Sequence, residues 1–277
     1  LLPDIVPGEH LTRVNGINGS LQALFSLASP VLGALLLSLV PLGAVFFVDI
    51  ITAVIAIIIM LTAFVLPAKE KKEVATENYF SEMKEGIRYI FKNRYLVEFF
   101  AFCIVYFIMM APAAFLTQVQ VVRNYGEGYW HLSAIEVAFS VGMLIGGIGI
   151  TLLGGLKNKM HTVALAATLM GMCTFALGIP MPFVLYMLFM GLFGVAMPVL
   201  NTPVMTMLQE KVDPQYRGRV FGIMTMINTS MMPLGMVIFG PMADIISIEA
   251  LLLGTGIVTI LAAILMTRAK ALCRAGA

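Results

Sequence analysis

The chain has 277 residues, of which 60% are apolar and only 12% charged, against about a quarter charged in an ordinary soluble domain. That composition excludes a soluble globular enzyme and points to an all-α membrane protein. The net charge of +2 reflects membrane topology rather than nucleic-acid binding, because the basic residues follow the ends of apolar stretches.

Eight stretches reach the length of roughly 18 apolar residues that reads as a spanning helix. They run over residues 14–39, 42–66, 96–121, 132–155, 161–180, 182–207, 219–242 and 248–267. The chain opens LLPDIVPGEH, with no initiator Met and no basic lead into a short apolar core, so no signal peptide is expected and the natural start is expected to lie elsewhere. Between the second and third spans, NYFSEMKEGIRYIFKN places Phe80, Met83, Ile87, Ile90 and Phe91 at helical spacing with basic residues between them. This reads as an amphipathic helix along the membrane interface. The glycines of SVGMLIGGIGITLLGG lack the spacing of a nucleotide loop. Gly142 and Gly146 instead form a small-xxx-small face for close helix packing. In the sixth span Pro198, Asn201 and Pro203 are expected to interrupt the helix.

Lys and Arg near span ends are retained on the cytoplasmic side. With eight spans, 16 of the 17 basic residues fall on one side and only Arg123 on the other. Both ends of the chain are therefore expected in the cytoplasm. Cys103, Cys173 and Cys273 show no CxxC spacing and there is no clustered His, so neither a disulfide framework nor a zinc site is expected.

The stretch VPGEHLTRVNGI, residues 6–17, returns as VDPQYRGRVFGI, residues 212–223, pairing Val6, Arg13, Val14, Gly16 and Ile17 with Val212, Arg219, Val220, Gly222 and Ile223. Each copy precedes two spans on the basic side, and six spans separate them. A six-helix period in one orientation is the mark of parallel repeats about an axis along the membrane normal. The first repeat then lacks its first four helices, and the chain is expected to be the last two-thirds of a twelve-helix protein.

The phrases IVPGEHLTRVNGINGSLQ, FSEMKEGIRYI, IEVAFSVGMLIGG and LQEKVDPQYRGRVFGIMTMINTSMMPLGMVIFGPMAD resemble the major facilitator superfamily, and within it the bacterial drug:proton antiporters of the macrolide-efflux type. The resemblance covers essentially the whole chain. It implies that the eight spans correspond to helices 5–12 of a twelve-helix fold. Residues 1–66 would hold the last two helices of the first half, 67–94 the interdomain loop, and 95–277 the second half. It also implies a bacterial plasma-membrane location, a small amphipathic substrate, and the four absent helices as partners. No cofactor beyond a proton gradient is expected, and no nucleic acid. Two family motifs are worn: Gly16, Pro30 and Gly33 match the antiporter motif, whereas Phe25, Ser29 and Ala34 replace glycines. In the hairpin motif Gly154 and Leu156 match, but Asn158 and Lys159 stand for Asp and Arg. Together with Arg13, Arg219 and Gly222 these are the candidate gating positions.

A carboxylate deep in a bilayer is costly and is a functional candidate by default. Asp49 lies about 12 Å into its helix if Pro41 begins it, which suits a group that loads and releases a proton. Glu136 is a second proton-coupling candidate, but Ser133-Ala-Ile-Glu136 also has the spacing of a capping box at a helix start. Glu98 sits where it can reach Arg94. Gln22, Ser26, Gln118, Asn201 and Asn228 are uncharged polar residues placed to line a substrate path or to bond neighbouring helices. Met224 heads a methionine-rich run that suits varied apolar guests or simple gap filling.

The leading expectation is a proton-coupled exporter of amphipathic drugs working by alternating access; transport of another small metabolite, or a truncated scaffold without transport, are the alternatives. No P-loop, HExxH or channel-forming charge ring is present. An enzyme is not expected.

Overall fold

A computed structural model describes residues 40–63, 79–126, 128–153 and 158–269, with isolated positions between 25 and 39 and at 156, 272 and 273. Nine α-helices are described: α1 (Leu42–Ala63), α2 (Tyr79–Lys92), α3 (Arg94–Ala111), α4 (Thr117–Tyr125), α5 (Tyr129–Leu153), α6 (Lys159–Leu177), α7 (Phe183–Lys211), α8 (Arg217–Ile245) and α9 (Ile248–Arg268). A single π-helical turn, Pro112–Leu116, joins α3 to α4, so 94–125 is one continuous apolar rod. Among the described residues six helices are long and apolar enough to cross a membrane, and α1 is a further apolar helix of 22 residues. The expected first span, 14–39, lies largely outside the described residues, as does the whole 67–78 connection.

The helix ends follow from local chemistry. Asn158 caps α6, its side-chain oxygen accepting from the N–H groups of Met160 (2.9 Å) and His161 (3.4 Å), which satisfies donors with no partner inside the helix. Ser247 caps α9 through the Ala250 N–H at 3.3 Å. Gly126, with φ of 101°, takes the left-handed region after α4 that a glycine adopts without penalty.

Two of the local expectations are corrected. The capping box at Ser133 does not form: α5 begins four residues earlier, at Tyr129. Its first turn is held by aromatic packing, with Trp130 and His131 edge-on to Phe183 at 5.2 and 4.7 Å between ring centroids. Nor do Pro198 and Pro203 interrupt α7, which runs unbroken from Phe183 to Lys211 with both prolines inside it. Each proline removes one helical hydrogen bond, and the remaining ladder carries the helix through.

Packing proceeds in pairs: α5 against α7, α6 against α7 and α9, and α3 against α8. The small-residue face of α5 behaves as its spacing indicates. A Cβ at Gly142 would sit 2.0 Å from the Gly191 carbonyl oxygen, and one at Gly146 2.1 Å from that of Val195. The two backbones therefore touch, and only glycine fits. Around these contacts the buried side chains form two clusters. One occupies the end of the bundle that carries Arg94, Lys159, Lys211 and Arg217, and includes Leu96, Phe100, Met160, Val163, Leu208 and Val220. The other fills the opposite end around Ala111, Val121, Ile135, Leu177, Tyr186 and Leu252. A cavity lies between them.

Candidate functional site

The cavity has a volume of about 290 Å³ and is walled by α3, the π turn, α5, α6, α7 and α8. Its apolar lining is soft: Met110, Met170, Met190, Met197 and Met232 from four helices, with Phe107, Phe139 and Phe193. Unbranched thioethers adjust their shape at low cost. The polar groups are few, namely Glu136, Asn201, Asn228, Thr117 and the Tyr106 hydroxyl, whose proton points to the Met170 sulfur at 3.0 Å.

Each polar group arrives through its helix. The π turn places the small residues Ala113 and Ala114 at the wall, and a π turn in the middle of a helix is frequently a functional feature. Because α5 starts at Tyr129, Glu136 is seven residues in, roughly 10 Å along the axis at 1.5 Å per residue. At that depth its side chain turns into the cavity rather than back to a helix end, and Gln118 of α4 donates to its Oε1 at 3.3 Å. Asn201 lies on α7 between its two prolines, and Asn228 on α8 faces the same space. One carboxylate and two carboxamides thus converge in a mainly apolar chamber, the usual composition of a small-molecule site.

The remaining candidates divide by location. Gln118 reaches the cavity only through Glu136. Met224, 4% exposed, belongs to the core cluster at the basic end. Asp49 is exposed on α1 and does not line the cavity. Glu98 pairs with Arg94 at 2.9 Å, as its position near the helix end indicates. Gln22, Ser26, Arg13, Gly16, Pro30 and Gly154 lie outside the described residues, and a Cβ at Gly33 would meet nothing within 4 Å.

At the basic end, Asn158 combines its capping role with a second bond, Nδ2 to the Cys273 carbonyl at 2.8 Å, and Lys159 pairs with Glu210 of α7. Arg219 on α8 pairs with Glu85 of α2 at 2.8 Å and approaches Glu82 at 4.0 Å, across a small cleft shared with Gly222. Tyr89 of α2 stacks on Tyr216 with centroids 4.3 Å apart, and its hydroxyl bonds the Asp213 carboxylate at 3.1 Å. Partial burial, together with the Asp213 charge, holds the Tyr89 phenol above its ordinary pKa, so it stays a donor.

One residue escaped the sequence reading. Gln120, 2% exposed, donates to the Leu177 carbonyl (3.0 Å) and to Glu249 (3.3 Å), and accepts from the Tyr186 hydroxyl (2.9 Å). Asn124 adds a bond to Glu249 at 3.2 Å. These bonds tie α4, α6, α7 and α9 together at the end opposite the basic one. Nothing in TQVQ separates Gln120 from Gln118, since the difference is the helical face.

A sequence model of the Major Facilitator Superfamily matches residues 1–236. Macrolide efflux protein A of Streptococcus pyogenes is 28% identical over 263 residues, covering 93% of this chain and 65% of that protein. The protein of the same name from Enterococcus faecalis is 28% identical over 237 residues, covering 84% and 73%. The multidrug efflux pump Tap of Mycolicibacterium fortuitum is 26% identical over 121 residues, 43% of this chain and 29% of the pump. The chain spans about 65% of the length of its Streptococcus relative.

Proposed function

This chain belongs to the major facilitator superfamily, and from that premise we propose that it works in a secondary transporter exporting amphipathic drugs such as macrolides by proton-coupled alternating access. Residues 1–66 would supply the last two helices of one half, 67–94 the interdomain loop, and 95–277 the six-helix second half. The protein would sit in a bacterial plasma membrane with its basic side cytoplasmic, together with four further helices. Similarity to proteins named for macrolide and multidrug efflux supports the substrate class.

The observation that carries the proposal is Glu136. Among the described residues it is the only charged one lining the methionine-rich cavity, and an ionised carboxylate in an apolar chamber is costly unless it is neutralised. A proton neutralises it, and so does the cationic amine of an amphipathic guest. Binding of one displaces the other, which links substrate movement to the proton gradient. The flexible thioethers accept guests of differing shape, and Asn201 and Asn228 orient their polar groups.

The test is macrolide accumulation in drug-sensitive cells making the complete reading frame. Accumulation is expected to fall, and both a protonophore and Glu136→Gln are expected to abolish that fall. Glutamine keeps the size and the acceptor for Gln118 while removing the carboxylate. Export that persists undiminished in Glu136→Gln and fails in Asp49→Asn would move the proton site to α1 and sink the assignment.

A further inference from the structure

The sequence pattern of α2 reads as one apolar face, but the structure divides its apolar residues between two. Met83, Gly86 and Ile90 turn inward onto α8, where a Cβ at Gly86 would lie 3.0 Å from that of Arg219. Ile87 and Phe91 turn outward and are 39% and 73% exposed. Beside them Lys84, Arg88 and Lys92 recur every fourth residue and are all exposed, forming a second row parallel to the apolar one.

The charges on α2 are sorted in the same way. Glu82 and Glu85 are turned to Arg219, while none of the three basic residues has an acidic partner among the described residues. What remains on the outward face is therefore apolar and cationic.

We propose that this face of α2 is a lipid-docking surface: Phe91 and Ile87 enter the acyl boundary of the leaflet on the basic side, and Lys84, Arg88 and Lys92 bind anionic headgroups. Two observations select a membrane over a protein partner. First, the face is continuous with a spanning helix. Asn93, in an extended conformation, makes the corner into α3, and Phe91 lies two residues before it, roughly 3 Å of helical rise. Helix α3 carries exposed apolar side chains of its own, Ile104 and Val105. Second, the patch is small. Two apolar side chains cannot supply the roughly 800 Å² per partner of a stable protein interface, whereas a lipid surface needs only a shallow apolar anchor and nearby cations. The charge excess specifies the lipid, at roughly fivefold in affinity per basic residue near an anionic surface.

The experiment places the full chain in nanodiscs of phosphatidylcholine, or of an equal mixture of phosphatidylcholine and phosphatidylglycerol, and follows amide exchange over residues 79–92. Exchange should slow by about tenfold or more in the anionic discs. Combined substitution of Lys84, Arg88 and Lys92 by glutamine should remove that difference. Phe91→Ser keeps every charge and should speed exchange in both lipids. Protection that is equal in the two lipids, or that survives the triple substitution, overturns the proposal. So does protection that rises with protein density, which would assign the face to a second copy, or protection reproduced by inorganic phosphate in phosphatidylcholine discs, which would assign the cations to a soluble anion.

Discussion

Replacing Gln120 by leucine leaves the Tyr186 hydroxyl and the Leu177 carbonyl without the partners they have at 2.9 and 3.0 Å. Hydrogen bonds between membrane helices average only about 0.6 kcal/mol in double-mutant measurements. Here one substitution orphans groups on two other segments inside a site 2% exposed, so the desolvation penalty of about 1–3 kcal/mol decides. Thermal unfolding in detergent should show Gln120→Leu less stable by that amount, while Gln118→Leu, at an exposed position, should change stability far less and act on transport through Glu136. Equal effects would refute the distinction. Residue chemistry in this protein is legible as residue type alone: a lone carboxylate marks Glu136 as a candidate, but whether it caps a helix or enters a cavity depends on Phe183, more than forty residues away.

Elements were the most legible level, because a run of twenty apolar residues leaves few alternatives to a helix. The apolar run from 132 misses the first three residues of α5, because that turn is made by Tyr129, Trp130 and His131, whose polar atoms blur the start of the run. The glycine spacing of α5 carried information that survives in three dimensions, since the facing residues on α7 come within 2.1 Å of where a Cβ would stand. Gly146→Leu should separate α5 from α7 and cost about 1–3 kcal/mol or more through overpacking. Gly149→Leu, where a Cβ meets nothing within 4 Å, should be close to neutral in the same unfolding measurement. A destabilised Gly149→Leu would show that the cost belongs to helix register rather than to contact with α7.

At the scale of the whole molecule, the distribution of Lys and Arg sets an orientation that can be checked directly. The basic end, marked by Lys92 and Lys211, should face the cytoplasm, and the end bearing Arg123 and Asn124 the exterior. A membrane-impermeant thiol reagent added to intact cells should label Asn124→Cys and leave Lys92→Cys unlabelled until the cells are opened; the reverse pattern would invert the topology. Cys103 and Cys173 are buried and give little background. The repeat of residues 6–17 at 212–223 was legible as spacing, whereas its use was not. In the second copy Arg219 holds α2 through Glu85, and Tyr216 stacks on Tyr89. Those partners come from a segment more than 120 residues upstream, which no local pattern announces.

The π turn at Pro112–Leu116 acts on everything beyond it as a phase shifter. A π turn holds one residue more than an α turn, and each residue turns an α-helix by about 100°, so substitutions that regularise this turn to α-helix at the same chain length would rotate α4 by about that angle relative to α3. Gln118 would swing off Glu136 and Gln120 off Tyr186 at once, unlinking the chamber and the knot above it. A change of that kind passes every test of hydropathy and length, and it would disable the half of the molecule that those tests describe best.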